Sequence, residues 1–333
     1  MSILSSEDQK PTAQLQPKER LLFVGQIAIS MVLLGWMLHN AQSKQVWSHL
    51  EQLSLFWLVV ALALKSISLL LRELRLWLAL PSPRPPLLPI MNIGLFTGAL
   101  HTFLPARGGD IVAIALLVKS SSLSTAKAAF AVAISALFEA LVFGILVLLG
   151  LYWHKDLFVN PEFLSNAVQW VSTSTVLGVT VFLVLGAIGK RYFTEPETDS
   201  LPPIQHILSE LFHLTGKSIT NMMYLIINVL ITFLDVWLMI VAFALGFEVL
   251  GIDLEATWTI SALILGCSAM LAFLLPPSYG AGPAAAAIFV LSLFGIDESS
   301  AVAYSAIWWI LSQIPALIFG VPALFFIRRK NPD

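Results

Sequence analysis

Six apolar runs, each long enough to cross a lipid bilayer as a helix, divide this chain: residues 21–38, 54–80, 128–152, 167–188, 219–245 and 301–327. A hydrocarbon core about 30 Å thick takes about 20 residues at 1.5 Å each. Inside it every backbone N–H and C=O must be satisfied within the protein, so the runs read as helices. Only 11% of the 333 residues are charged and 58% are hydrophobic, which excludes a soluble globular domain of this length. The fold class is therefore an all-α polytopic membrane protein. Residues 1–20 are polar and of mixed charge and read as a disordered cytoplasmic tail. Run 21–38 exceeds a signal-peptide core and lacks a small-x-small exit, so it reads as a retained first span. The single cysteine, Cys267, lies in an apolar run, which leaves no intrachain disulfide and no cysteine metal site.

Two irregular stretches interrupt the apolar pattern. Leu104-Pro105-Ala106-Arg107-Gly108-Gly109-Asp110 separates arms at 87–104 and 111–118, and the second arm, about 12 Å of helix, cannot span alone. Pro276-Pro277-Ser278-Tyr279-Gly280-Ala281-Gly282-Pro283 separates arms at 256–275 and 284–294, and again the second arm is short, about 16 Å. Each pair of arms reads as a re-entrant helical hairpin. Span, long arm, Pro/Gly break, short arm and span occur in that order twice, over 54–152 and 219–327. Residues 189–203 form a charged, Pro-containing linker. After it Ile204, Ile207, Leu208, Leu211 and Leu214 recur at helical spacing as an amphipathic helix on the membrane surface, the linker and helix together covering about 189–217. The expectation is about six full spans plus two re-entrant hairpins, arranged as an inverted-topology repeat within one domain at 21–330.

Charge sidedness follows from that layout. Of the 18 Lys and Arg, only Lys44 and Lys155 fall opposite the N-terminal side, while Lys65 and Arg107 stay in the membrane. The positive-inside rule then makes both termini cytoplasmic.

Charged and helix-breaking residues at membrane depth are the site candidates, because they are costly there unless buried in protein or lining a wet cavity. A guanidinium at Arg107 can grip phosphate bidentately, with Asp110 holding it and Gly108 and Gly109 exposing backbone N–H groups. Alternatively, Arg107 and Asp110 pair and staple the hairpin. Glu139 and Asp235, single acids inside spans, either relay protons or bind a headgroup amine, or else pair with Lys65 or Arg107. Lys65 reads as a snorkelling or paired lysine before a ligand. Arg72, Arg75 and Arg84, beside the Pro-rich turn 81–86, read as topology determinants touching anionic lipid heads. There is no nucleophile elbow, Walker loop or zinc spacing, and Gly280–Gly282 lacks the strand–helix context of a nucleotide loop.

With these residues in place, the chain resembles the lysylphosphatidylglycerol synthase transmembrane region, the flippase-like domain of multiple-peptide-resistance factors and stand-alone bacterial proteins. LPARGGD, the Ser-rich turn SSSLSTAKA and a following span with an acid carry the likeness in the first half. LPPSYGAG and the helix ending LFGID carry it in the second. On the family pattern fall Pro105, Arg107, Gly109, Gly280 and Gly282, with Asp110 for a Glu and Glu139 for an Asp. Ala113, Ser135-Ala136 and Trp308 or Trp309 stand where that pattern has charged residues. The resemblance implies two inverted helical halves in a bacterial inner membrane. It also implies translocation of a polar-headed lipid, phospholipid or polyprenyl type, with its headgroup on Pro105, Arg107, Gly108, Gly109, Asp110, Gly280 and Gly282. A non-transporting lipid-binding scaffold for an envelope-lipid biosynthetic enzyme is the alternative. No enzymatic activity, cofactor, metal or nucleic-acid partner is expected.

Overall fold

The computed structural model describes residues 31–32, 43–104, 108–121, 123–157, 161–192, 203–272 and 280–330. The N-terminal tail and, apart from helical Met31 and Val32, the first expected span lie outside the described residues. What is described is helical, with no strand among these residues. In chain order the helices are α1 (Ser43–Glu51), α2 (Leu55–Ala79), α3 (Leu87–Phe103), α4 (Gly108–Ser121), α5 (Thr125–Trp153), α6 (Pro161–Tyr192), α7 (Pro203–Thr220), α8 (Met222–Val249), α9 (Thr257–Leu271), α10 (Ala281–Ser292) and α11 (Glu298–Lys330). Five are long and apolar enough to cross a membrane: α2, α5, α6, α8 and α11.

Helix ends follow local chemistry. Ser124 caps α5 by accepting the Lys127 N–H at 3.2 Å. Asp297 caps α11, accepting the Ser300 N–H at 3.0 Å and the Ser300 hydroxyl at 2.6 Å. Partial burial would push the Asp297 carboxyl up, but these bonds and the Ser299 N–H hold it below the usual range. At the end of α2, Arg84 donates to the carbonyls of Leu80 at 3.0 Å and Leu78 at 3.1 Å and lies over the Trp77 ring. Arg84, expected at the lipid heads, thus also satisfies helix-end carbonyls.

The short helices also differ from the sequence reading in length. Helix α4 starts at Gly108 and runs 14 residues, about 21 Å, with Asp110 in its first turn and Lys119 in its last, each matched to the helix dipole. Helix α10 has 12 residues, about 18 Å, and α9 has 15, about 22 Å. None of the three reaches a full bilayer width.

Helix α2 lies along α8 at the centre of the molecule. The contacts within α2–α5 are matched by contacts within α8–α11. Helix α2 touches α3 and α5, as α8 touches α9 and α11; α3 touches α4, as α9 touches α10; α4 touches α5, as α10 touches α11. Across the two sets, α3 meets α11 and α5 meets α9. Phe247 and Tyr304 stack at 4.0 Å between centroids in the largest core cluster, where α8 meets α11. The amphipathic helix α7 packs on α6 and α5. At its crossing with α6, Gly189 faces the Phe212 carbonyl with no room for a Cβ, and at the start of α5 the Ser124 hydroxyl donates to Glu210 at 2.9 Å.

The α3–α11 crossing depends on Gly320, where a Cβ would stand 2.5 Å from the Ala99 Cβ and 2.8 Å from the Leu95 carbonyl oxygen. Both neighbours belong to a packed helix, so overpacking is expected to cost about 1–3 kcal/mol. Gly320→Val should therefore lower the thermal unfolding midpoint in detergent. A midpoint equal to wild type would contradict this crossing.

A buried charge network and two adjoining chambers

Helix α2 brings Lys65, Ser68, Arg72 and Arg75 to one face, at successive steps of three, four and three residues. The neighbouring helices answer that stripe. Arg75, its side chain 1% exposed, donates from Nη2 to Glu139 of α5 at 2.6 Å and pairs through Nη1 with Asp235 of α8 at 3.4 Å. Ser68 donates to Asp235 at 2.8 Å. Arg72 pairs with Glu73 at 2.7 Å, and α3 makes room for that pair. A Cβ on Gly94 would fall on the Glu73 carboxylate, and one on Gly98 on the Arg72 guanidinium. Two glycines four apart thus let α3 close over an ion pair of the span-length helix α2.

This corrects the reading of Arg75 as a headgroup contact. Arg75 is the shared partner of Glu139 and Asp235, a role the sequence reading had offered to Lys65 or Arg107. No carboxylate lies within ion-pairing distance of Lys65 among the described residues; its ammonium faces the Phe243 ring, 5.8 Å from the centroid.

Two chambers adjoin the network, sharing Arg72, His101, Ala136 and Glu139 as walls. The smaller, about 150 Å³, is polar and adds Glu73, Arg75, Thr97, Asp110 and Ser135. The larger, about 390 Å³, is partly open and mainly apolar, with Lys65, Ser268 and Gln313 among its few polar walls. Glu139, a third exposed, is the network acid that both chambers reach. Asp235 sits behind Arg75, 5% exposed.

The remaining site candidates divide. Pro105 and Arg107 lie outside the described residues. Asp110 meets His101 Nε2 at 2.9 Å, joining α4 to α3 and placing both side chains on the smaller chamber. Gly109 lets α4 approach, since a Cβ there would stand 2.6 Å from the Thr97 carbonyl oxygen. Gly108 packs against Leu104. Gly280, at φ +75°, is a left-handed residue opening α10, a conformation that favours glycine. Gly282 is buried inside α10. None of Gly108, Gly109, Gly280 and Gly282 is among the chamber walls. The sequence reading missed Arg75 as the hub, and the α2 stripe was the signal that could have found it. Glu73 and the Gly94–Gly98 pair opposite it went unread as well.

A family model described as the lysylphosphatidylglycerol synthase TM region matches residues 23–320, nearly the whole chain. The protein belongs to this family. No curated protein and no solved structure matches the chain. Membership in a transmembrane-region family agrees with the five span-length helices. Trp308 lines the larger chamber, whereas Trp309 is 40% exposed and is not among its walls. Ser135 and Ala136 both stand on chamber walls.

Removing one partner of a buried ion pair leaves the other charge unpaired, which costs about 3–5 kcal/mol. Arg75→Met should therefore destabilise the protein strongly in a detergent unfolding assay. Adding Asp235→Asn to Arg75→Met should recover part of the loss, because one stranded carboxylate is then neutral. Additive losses in the double variant would contradict the pairing.

Proposed function

We propose that this protein moves a polar-headed, phosphate-containing lipid between the leaflets of a bacterial inner membrane, both termini facing the cytoplasm. The observation that carries this reading is the larger chamber. It is walled by the long apolar helices α2, α5, α8 and α11, is partly open and mainly apolar, and yet presents the cations Lys65 and Arg72. A lipid headgroup needs polar partners at membrane depth while its chains stay in an apolar surround, and this chamber offers both. Lys65 is the cation best placed for phosphate, since it has no carboxylate partner among the described residues. Arg107, which precedes Gly108, Gly109 and Asp110 in the sequence, supplies a second phosphate contact in this reading.

Two inverted halves would let the chamber open to each leaflet in turn. Matched neighbours and lengths support that arrangement: α2 and α8 have 25 and 28 residues, α3 and α9 have 17 and 15, α4 and α10 have 14 and 12, and α5 and α11 have 29 and 33. Glu139, facing both chambers, is the acid for any proton coupling.

In proteoliposomes holding a headgroup-labelled phospholipid, a membrane-impermeant quencher should bleach the label of both leaflets when wild-type protein is present. Lys65→Met should slow the inner-leaflet phase about tenfold or more, as expected for loss of a charged hydrogen bond. Bleaching no faster than in protein-free vesicles would refute translocation and favour a lipid-binding scaffold, recognised by a partner enzyme on affinity capture.

A further inference from the structure

The larger chamber has a second polar end that the charge network does not use. Ser268 on α9 and Trp308 and Gln313 on α11 all line it, at 6%, 6% and 2% exposure. Each carries a buried polar atom without a hydrogen-bond partner among the described residues: the Ser268 Oγ, the Trp308 Nε1 and the Gln313 Oε1. Buried polar atoms are nearly always paired, so three unpaired ones on residues that line a single cavity point to a missing occupant, reached by small side-chain rotations.

Their chemistry selects that occupant. The Trp308 indole N–H can only donate. The Gln313 amide is oriented by Ser312, whose hydroxyl donates to the Trp309 carbonyl at 3.0 Å and so accepts the Gln313 Nε2–H at 3.3 Å. That leaves the Gln313 Oε1 as a pure acceptor, while Ser268 can do either. A phosphodiester has no hydrogen to give Gln313, and an ammonium has no lone pair for Trp308. A hydroxyl satisfies both. The anionic end is close by, because Phe243 stacks on Trp308 at 5.2 Å between centroids and carries the Lys65 ammonium 5.8 Å from its ring centre.

We propose that Ser268, Trp308 and Gln313 form a hydroxyl-recognising subsite, selecting lipids whose phosphate carries an uncharged, hydroxylated headgroup. This rests on the translocation reading for its lipid and names the class of headgroup. The partly open chamber among apolar helices favours a membrane lipid over a soluble polyol phosphate as the source.

The test is competitive binding to the full-length protein, read by native mass spectrometry, using phosphatidyl-2-hydroxyethanol and phosphatidylpropanol. These lipids share the charge and the chains and differ by one hydroxyl for one methyl. Wild type should prefer the hydroxyl lipid about tenfold, the size of one or two buried hydrogen bonds. Ser268→Ala and Gln313→Leu, tested separately, should each bring the ratio of hydroxyl-lipid to phosphatidylpropanol binding closer to one. Equal binding by wild type, failure to bind either lipid, or a preference that survives both substitutions overturns the subsite. Displacement of both lipids by millimolar glycerol 3-phosphate overturns the lipid source. Leaflet exchange on the same preparations separates the two claims. Exchange without headgroup preference refutes this inference alone, and preference without exchange refutes translocation alone.

Discussion

A guanidinium with almost no solvent contact holds this protein's centre. Arg75 projects from α2 to a carboxylate on α5 and another on α8, so three span-length helices share one cation. Burying a charge is expensive, and the attraction between buried charges offsets that cost only with close geometry and further hydrogen bonds. Ser68 supplies one such bond to Asp235, and Arg72 and Glu73 pair a turn away under the glycines of α3. Parting α2 from α5 or α8 would strand charge in an apolar surround. The network therefore specifies which helices meet, more than it adds net stability. Two arginines face three acids within it, and Lys65, set apart on the larger chamber, brings the six groups to neutrality.

That separation connects the packing to the proposed function. The arginines are occupied by carboxylates, whereas Lys65 rests on an aromatic face. An aromatic ring attracts a cation without neutralising it, so an incoming phosphate can compete for the ammonium. The same ring leads to Trp308 and the unpaired polar atoms of α9 and α11. One end of the chamber thus offers positive charge and the other neutral hydrogen bonding, with apolar walls between.

Much of the fold was legible in the sequence, because hydrophobic length and Pro/Gly breaks are local signals. The spans at α2, α5, α6, α8 and α11 and the short arms around both breaks follow from them. The lengths of those arms did not, since Gly108, Gly109 and Asp110 look like a loop until His101 is known to receive the Asp110 carboxylate. The site was less legible. Arg75 sits near the exit of an apolar run, where arginines ordinarily snorkel; only tertiary packing on Glu139 and Asp235 draws it inward. Gln313 and Ser268 looked unremarkable for the same reason, as their missing partners appear only once α9 and α11 face each other.

The central claim is that a water-accessible chamber sits at membrane depth beside this network. With Cys267 replaced by serine, single cysteines at Ala136 and Ala269 test it against controls at Ile145 and Leu149, which face outward from α5. A small, water-soluble thiol reagent should label the chamber positions in intact vesicles and leave the outward positions unmodified. Equal resistance of all four positions would contradict the chamber and the mechanism built on it.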